Sequence, residues 1–319
     1  MQIRFIVGWI MISLTASTAL ISGQSVHGTD PWVDATHDIT GGSAHLISMT
    51  FDGPGTVYAE VQEAPILIEV YTATWCETCI PAEEALNSSI WSLDTYVVKY
   101  HRHLFETEDP FGNNNTEGRW LSRYGPASIE ANFSSRTPPT VVFGGERMHV
   151  GSYPNEGMTL EQEYLQSLEA HVRPPILEGS NISVSLENNF LNWSWEWVQD
   201  KSICRSICGE IQTNLYLLTV EKKAYFPEGS NGQSMYYDIL RDITPLDPSG
   251  SIEYIPPAAW DEQDLELVII FDWNEIPEEK SSMGILPFSG PLTSIIILAS
   301  TSIILRYFGK NNLGFNNLR

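Results

Sequence analysis

Two cysteines stand where an apolar run gives way to a helical pattern, and this junction constrains the fold more than any other feature of the chain. Residues 66–71 (ILIEVY) are rich in branched apolar side chains and predict a buried strand, and residues 77–93 predict a helix. The helix N-terminus, with its unsatisfied N–H groups and its dipole, favours a thiolate on Cys76. Cys79 lies one turn further on, where it can attack a mixed disulfide formed on Cys76.

The Cys-x-x-Cys spacing has two other interpretations, a metal site and a permanent disulfide. A zinc site needs about two more ligands of similar kind, and the other cysteines, Cys204 and Cys208, are spaced differently and lie far along the chain. We therefore predict no metal and no cofactor. Two close pairs are compatible with the disulfides Cys76–Cys79 and Cys204–Cys208 in an oxidising compartment. The second pair is interpreted as structural, with a second redox pair as the alternative.

Both ends of the chain are hydrophobic. Residues 1–23 carry one early positive charge, an apolar stretch and then small residues, which predicts a secretory signal peptide. Residues 285–305 contain no charge and would span about 31 Å as a helix, enough to cross a bilayer. Only basic charges follow, which predicts that residues 306–319 form a cytoplasmic tail. The predicted localisation is a single-pass cell-membrane protein with its folded domains outside the cytoplasm.

Between these ends the chain is predicted to form two domains. Residues 45–175 alternate strand, helix, strand, helix, hairpin and helix, which predicts an α/β domain. In residues 176–277, short alternating β runs are separated by turn signals, which predicts an all-β antiparallel sandwich. Residues 278–284 form a linker to the predicted transmembrane helix.

The composition excludes one class of partner. The chain has 17 Lys and Arg against 40 Asp and Glu, a formal net charge of -23. Such a charge repels the phosphates of nucleic acids, so no nucleic-acid partner is expected. The acidity is interpreted as a means of staying soluble.

The first predicted domain resembles the thioredoxin superfamily. The resemblance rests on ILIEVYTATWCETC, a strand followed by Trp-Cys-x-x-Cys, and on TPPTVVFGGE, which is similar to that fold's cis-proline, strand and hairpin. It implies Cys76 as the attacking nucleophile and Cys79 as the resolving thiol. It also implies Trp75 as a lid on the pair, and a substrate-binding position at Pro138 and Pro139. Pro139 is predicted to be the cis proline, because the residues after it fit the next strand.

A narrower resemblance is to secreted thioredoxin-like proteins related to outer-membrane lipoproteins, in which a β domain often follows the thioredoxin unit. Two departures from thioredoxins stand out. Val70 occupies the strand position where thioredoxins keep a buried Asp that relays protons, and the nearest acid, Glu69, should face the opposite side of the strand. Pro138 has no backbone N–H, which relatives donate to the bound substrate chain.

Together these features predict a membrane-anchored, extracytoplasmic thiol–disulfide oxidoreductase that acts on exported proteins through Cys76 and Cys79. Its expected partners are thiols or disulfides of exported proteins, a redox partner that recycles the pair, and the membrane. The alternative is a non-enzymatic cell-surface binding or structural protein in which Cys76–Cys79 is a permanent disulfide. A third possibility is metal or haem-related thiol delivery.

Overall fold

The computed structural model describes residues 31–37, 40–51, 55–60, 64–105, 109–170, 174–176, 178–200, 202, 208–261 and 263–277. Strands predominate among these residues. In chain order, the elements are β1 (Val33–Asp34), β2 (Gly41–Thr50), β3 (Thr56–Glu60), β4 (Ile66–Thr72), α1 (Cys79–Ile90), β5 (Thr95–His101), α2 (Asn114–Arg123), α3 (Gly125–Glu130), β6 (Thr140–Phe143), β7 (Arg147–Val150), α4 (Leu160–Glu169), β8 (Asn181–Glu187), β9 (Phe190–Glu196), β10 (Cys208–Tyr225), β11 (Met235–Leu246), β12 (Ser249–Glu253) and β13 (Leu265–Pro277).

The strands form two sheets. A nine-stranded mixed sheet has the order β1-β7-β6-β4-β5-β11-β10-β13-β2, and a four-stranded sheet has the order β12-β9-β8-β3. The pairs β4–β5 and β5–β11 are parallel, and the other pairs are antiparallel. Strands β4 and β5 are joined through α1, as parallel neighbours require a crossover connection.

The predicted fold class, an α/β domain followed by a separate β-sandwich and a transmembrane helix, is wrong. Strand β11 pairs with β5 at Ile239 and Lys99, and β13 pairs with β2, so one sheet runs through both predicted domains. Strand β3 pairs with β8 in the other sheet. The physical reason is that β5 would otherwise present an open sheet edge, with unpaired N–H and C=O groups that another strand readily covers. Periodicity identifies a strand but not the strand that pairs with it.

The predicted localisation is also contradicted. No helix within the ranges given above is long and apolar enough to cross a membrane. The predicted signal peptide (1–23), linker (278–284), transmembrane helix (285–305) and cytoplasmic tail (306–319) lie outside the described residues.

The hydrophobic core has one part between the two sheets and others on the faces of the nine-stranded sheet. Trp193 and Trp195 of β9 are buried against β2, β10 and β13. Val70 of β4 packs with Ala82 and Leu86 of α1 on one face of the nine-stranded sheet. On the opposite face, β4 and β5 pack against α2 through side chains that include Trp120. Strand β4 is therefore buried on both faces.

Local hydrogen bonds set where the helices begin. Asn113 caps α2 and Thr159 caps α4, each within a capping box. Helix α1 begins at Cys79, later than the predicted 77–93, because the turn before it is tighter than an α-helix: the Cys79 N–H donates to the carbonyl of Cys76 at 3.2 Å. This turn holds the two cysteines at the start of the helix.

Candidate functional site

Cys76 and Cys79 are joined by a disulfide at the junction between β4 and α1. Their Cα atoms are 5.3 Å apart. Cys79 is the first residue of the helix and its side chain is fully buried, whereas Cys76 lies in the preceding turn and is 3 % exposed. The Cys76 N–H donates to the carbonyl of Ala73 at 3.0 Å, which fixes the turn. Of the two cysteines, Cys76 is the one nearer the surface.

Trp75 forms part of the same cluster. Its half-buried ring packs against Ala73 and the two cysteines. The guanidinium of Arg102, which follows β5, lies over the ring at 5.4 Å from its centre. Trp75 therefore lies beside the disulfide, and its role as a lid stays a prediction.

Pro138 and Pro139 lead into β6, and the bond between them is cis, as predicted. Strand β6 pairs with β4 so that Thr140 lies opposite Tyr71. Because the cysteine turn leaves the same end of β4, the two prolines lie at the end of the sheet that carries the disulfide. Pro139 is buried and Pro138 half-buried.

A partly buried acid that the sequence analysis missed lies on α1. The carboxylate of Glu83 accepts a hydrogen bond from the hydroxyl of Thr72 at 2.9 Å and another from the ammonium group of Lys99 at 2.5 Å. The Glu83 side chain is 13 % exposed. Glu83 follows Cys79 by four residues, so both lie on the same face of α1. That helical spacing is a signal in the sequence, whereas the thioredoxin resemblance points only to the strand position of Val70.

Glu69 does face away from α1, as predicted. Its carboxylate accepts hydrogen bonds from the hydroxyls of Tyr100 and Tyr124 and is 3.4 Å from a guanidinium nitrogen of Arg119. Burial, and then the charge of Glu69, raise the pKa of Tyr100 well above its usual value. Arg119 also donates to Asp272 of β13 at 2.8 Å. Glu69 thus belongs to a buried network that connects β4, β5, α2 and β13, away from the disulfide.

Asp109 holds the chain just before the cysteines. Its carboxylate accepts hydrogen bonds from the N–H of Thr74 at 2.7 Å and from the N–H of Phe111 at 3.0 Å, and it pairs with Nδ1 of His101 at 2.9 Å. Burial alone would raise the pKa of Asp109, but His101 and these N–H groups hold it below its usual value. Asp109 therefore stays a carboxylate and anchors the turn at Thr74.

The connection between β10 and β11 contacts this turn from the other side. The N–H of Asn231 donates to the carbonyl of Thr74 at 3.1 Å, and the Tyr236 hydroxyl donates to the side-chain oxygen of Asn231 at 2.9 Å. A Cβ atom at Gly229 would lie 2.1 Å from the Tyr236 hydroxyl oxygen, so this close approach requires glycine. Residues from far along the chain therefore border the turn that precedes the disulfide.

Two remaining predictions concern cysteines and metals. Cys204 lies outside the described residues, as does the side chain of Cys208, so the disulfide Cys204–Cys208 stays a prediction. Within the part of the chain that the structure describes, no group of three or more His, Cys, Asp or Glu side chains could hold a metal ion.

Comparison with known proteins adds two distant structural neighbours. No family model matches the chain, and no curated protein shows a significant match. Protein AGR_C_4864 from Agrobacterium tumefaciens is 13% identical, with a TM-score of 0.38 over 64% of this chain and 77% of that one. HBP35 of Porphyromonas gingivalis is 13% identical, with a TM-score of 0.37 over 65% of this chain and 63% of that one. The resemblance to the thioredoxin superfamily stays a prediction.

Proposed function

We propose that the protein is a thiol–disulfide oxidoreductase that exchanges its Cys76–Cys79 disulfide with cysteines of polypeptide clients. The observation that carries the proposal is the position of this disulfide, which joins the first residue of α1 to the turn before it. The N-terminus of a helix stabilises a thiolate, which is both the attacking and the leaving group in such exchange.

The chemistry is a pair of substitutions at sulfur. A client thiolate attacks Sγ of Cys76, the Cys76–Cys79 bond breaks, and Cys79 leaves with the electron pair as a thiolate. A second client thiolate then attacks the client sulfur of the mixed disulfide, and Cys76 leaves as a thiolate. The client loses two electrons and gains a disulfide, while the cysteine pair gains the two electrons. Reduction of a client is the reverse, and a second dithiol or disulfide protein restores the starting state.

The burial of the two cysteines indicates which sulfur reacts with the client. Cys79 is fully buried in the first turn of α1, whereas Cys76 lies before the helix and beside half-buried Trp75. Cys76 is the less buried of the two cysteines and lies before the helix, so a client sulfur is expected to reach it first. Cys76 is therefore the nucleophile and Cys79 the resolving thiol.

Cys79 must lose its proton before it can attack a mixed disulfide on Cys76. Glu83 is the proposed acceptor of that proton. It is a partly buried carboxylate on the face of α1 that carries Cys79, and its two hydrogen-bond donors, Thr72 and Lys99, hold it there. A carboxylate in this place can take up the proton that Cys79 releases. It would replace the strand acid that is absent at Val70.

The second candidate function is that of a structural protein with a permanent disulfide, which the burial of both cysteines favours. The reduction potential of the pair separates the two. It is measured by equilibrating the protein in graded thiol buffers and counting alkylated cysteines by mass. A potential above about -300 mV is expected for exchange, and a lower one would make the disulfide structural. A Cys204→Ser, Cys208→Ser variant limits the count to the proposed pair.

A further inference from the structure

A cavity of about 370 Å³ opens directly beside Trp75, next to the disulfide. Such a volume lies near the lower end of the range for ligand sites, about 300 to 1,000 Å³, and suits a single long side chain with space around it. One wall comes from the turn before Cys76 and the other from the connection between β10 and β11. The residues that line it are Thr74, Trp75, Phe226, Glu228, Gly229 and Ser230.

The second wall is held in place and is not a loose loop. The Asn231 N–H bonds to the carbonyl of Thr74, and Gly229 approaches that carbonyl so closely that an added Cβ would lie 3.0 Å from it. Phe226 packs edge-on against Trp260, with ring centres 5.7 Å apart. The cavity is therefore a built feature of the fold.

The lining combines aromatic surface with one negative charge. Trp75 and Phe226 are half-buried aromatic side chains, and Glu228 is exposed at the cavity. Arg102 is already the cation–π partner of the Trp75 ring. The selection of a client side chain by its charge is therefore assigned to Glu228 and not to Trp75. An aromatic lining with a carboxylate suits a Lys or Arg side chain, whose methylenes pack on apolar surface while its charge stays in water.

We propose that this cavity binds the residue next to the reacting cysteine of a client and selects a basic residue there. This inference rests on the proposed function and names the class of client, a polypeptide with Lys or Arg beside its cysteine. The formal charge of -23 acts in the same direction, because it attracts cationic polypeptides and disfavours small anionic thiols such as glutathione.

The test uses two unstructured dithiol peptides that differ only in having Lys or Glu beside the first cysteine. The rate constant for reduction of the Cys76–Cys79 disulfide is measured with each peptide, and the Lys-to-Glu rate ratio is compared between the full chain and its Glu228→Gln variant. Comparing ratios cancels the intrinsic reactivity of each peptide thiol. Glu187→Gln, which removes an exposed charge from β8 in the other sheet, is the matched control.

We expect Glu228→Gln to lower the ratio about fivefold at low salt, the effect of one exposed ion pair near the upper end of its range. Glu187→Gln should leave the ratio unchanged, and about 0.5 M salt should shrink the effect of Glu228→Gln. Equal ratios in the parent and in Glu228→Gln would overturn the inference while leaving the proposed function intact. An equal fall in Glu187→Gln would show a general effect of charge and would also overturn it. Failure of both peptides to react would end the proposed function and this inference together.

Discussion

The carboxylate of Glu83 lies 2.5 Å from the ammonium nitrogen of Lys99, in a nearly buried ion pair between α1 and β5. Lys99 lies directly opposite Val70 in the parallel pairing of β4 and β5. The buried charges of this region are thus carried by the helix and by the neighbouring strand, on the face of the sheet that packs against α1. Glu83 follows Cys79 by one turn on the same face of α1.

Glu83→Gln is expected to slow the exchange reaction at neutral pH by about 100-fold, a typical effect of losing a general base. The measurement is the rate at which Cys79 resolves a preformed mixed disulfide on Cys76, followed over a range of pH. The difference from the parent should vanish at high pH, where the Cys79 thiol ionises without help. Glu84→Gln, at the next and exposed position, is the control and should react as the parent does. A resolution rate that is unchanged in Glu83→Gln would remove Glu83 from the mechanism.

Asp109→Ala is expected to lower the free energy of unfolding by about 3 to 5 kcal/mol, because it leaves His101 and the N–H of Thr74 buried without their acceptor. Urea unfolding of the oxidised protein measures the change. Asp94→Ala, at an exposed position before β5, should change the stability by less than about 0.5 kcal/mol. Similar effects of the two substitutions would show that Asp109 does not anchor the turn.

His45 should make the protein less stable in mild acid. Burial lowers the pKa of His45 from 6.5 to about 4. Between these two values the unfolded chain binds the proton and the folded chain does not, so stability is unaffected above pH 6.5 and falls as the pH drops towards 4. His45 also stacks on Tyr96, with ring centres 4.7 Å apart, and a Phe can keep that stacking.

His45→Phe is therefore expected to be about 2 kcal/mol more stable than the parent at about pH 4.5, beyond any difference at pH 7. Urea unfolding at both pH values gives the comparison. His37→Phe, at an exposed position, is measured in parallel as the control for replacing a His by a Phe. If the pH dependence of stability is the same in His45→Phe and in the parent, the titration of His45 does not contribute to it.

Pro138 lacks the N–H that would pair with a client strand, at the end of the sheet that carries the disulfide. Pro138→Thr supplies that donor, and a hydrogen bond is worth about 0.5 to 1.5 kcal/mol net, a factor of about 2 to 13 in affinity. In a Cys79→Ser variant, which traps mixed disulfides on Cys76, the added substitution should increase the amount of trapped unfolded client. The same substitution paired with Cys76→Ser is the control and should trap none through this site. Unchanged trapping in a folded protein would show that clients do not bind along this backbone.

The residues near Cys76 show how much of the site the sequence determined. A strand followed by Trp-Cys-x-x-Cys and a helix was predictable, because the branched apolar run of β4 and the pattern of α1 are local signals. The resemblance carried by TPPTVVFGGE implied the cis bond at Pro139 and the hairpin of β6 and β7, and both are present.

Only the tertiary structure decided which distant residues contact the segment around the cysteines and α2. Arg119 bonds Asp272, which is 153 residues away, and Tyr236 reaches the turn at Thr74 from a separation of 162 residues. Both contacts depend on β11 pairing with β5, where a single sheet continues through the two predicted domains. Periodicity reports which face of a strand is buried, but the partner of a strand is chosen by edge pairing and by packing of the whole chain, which no short window of residues contains.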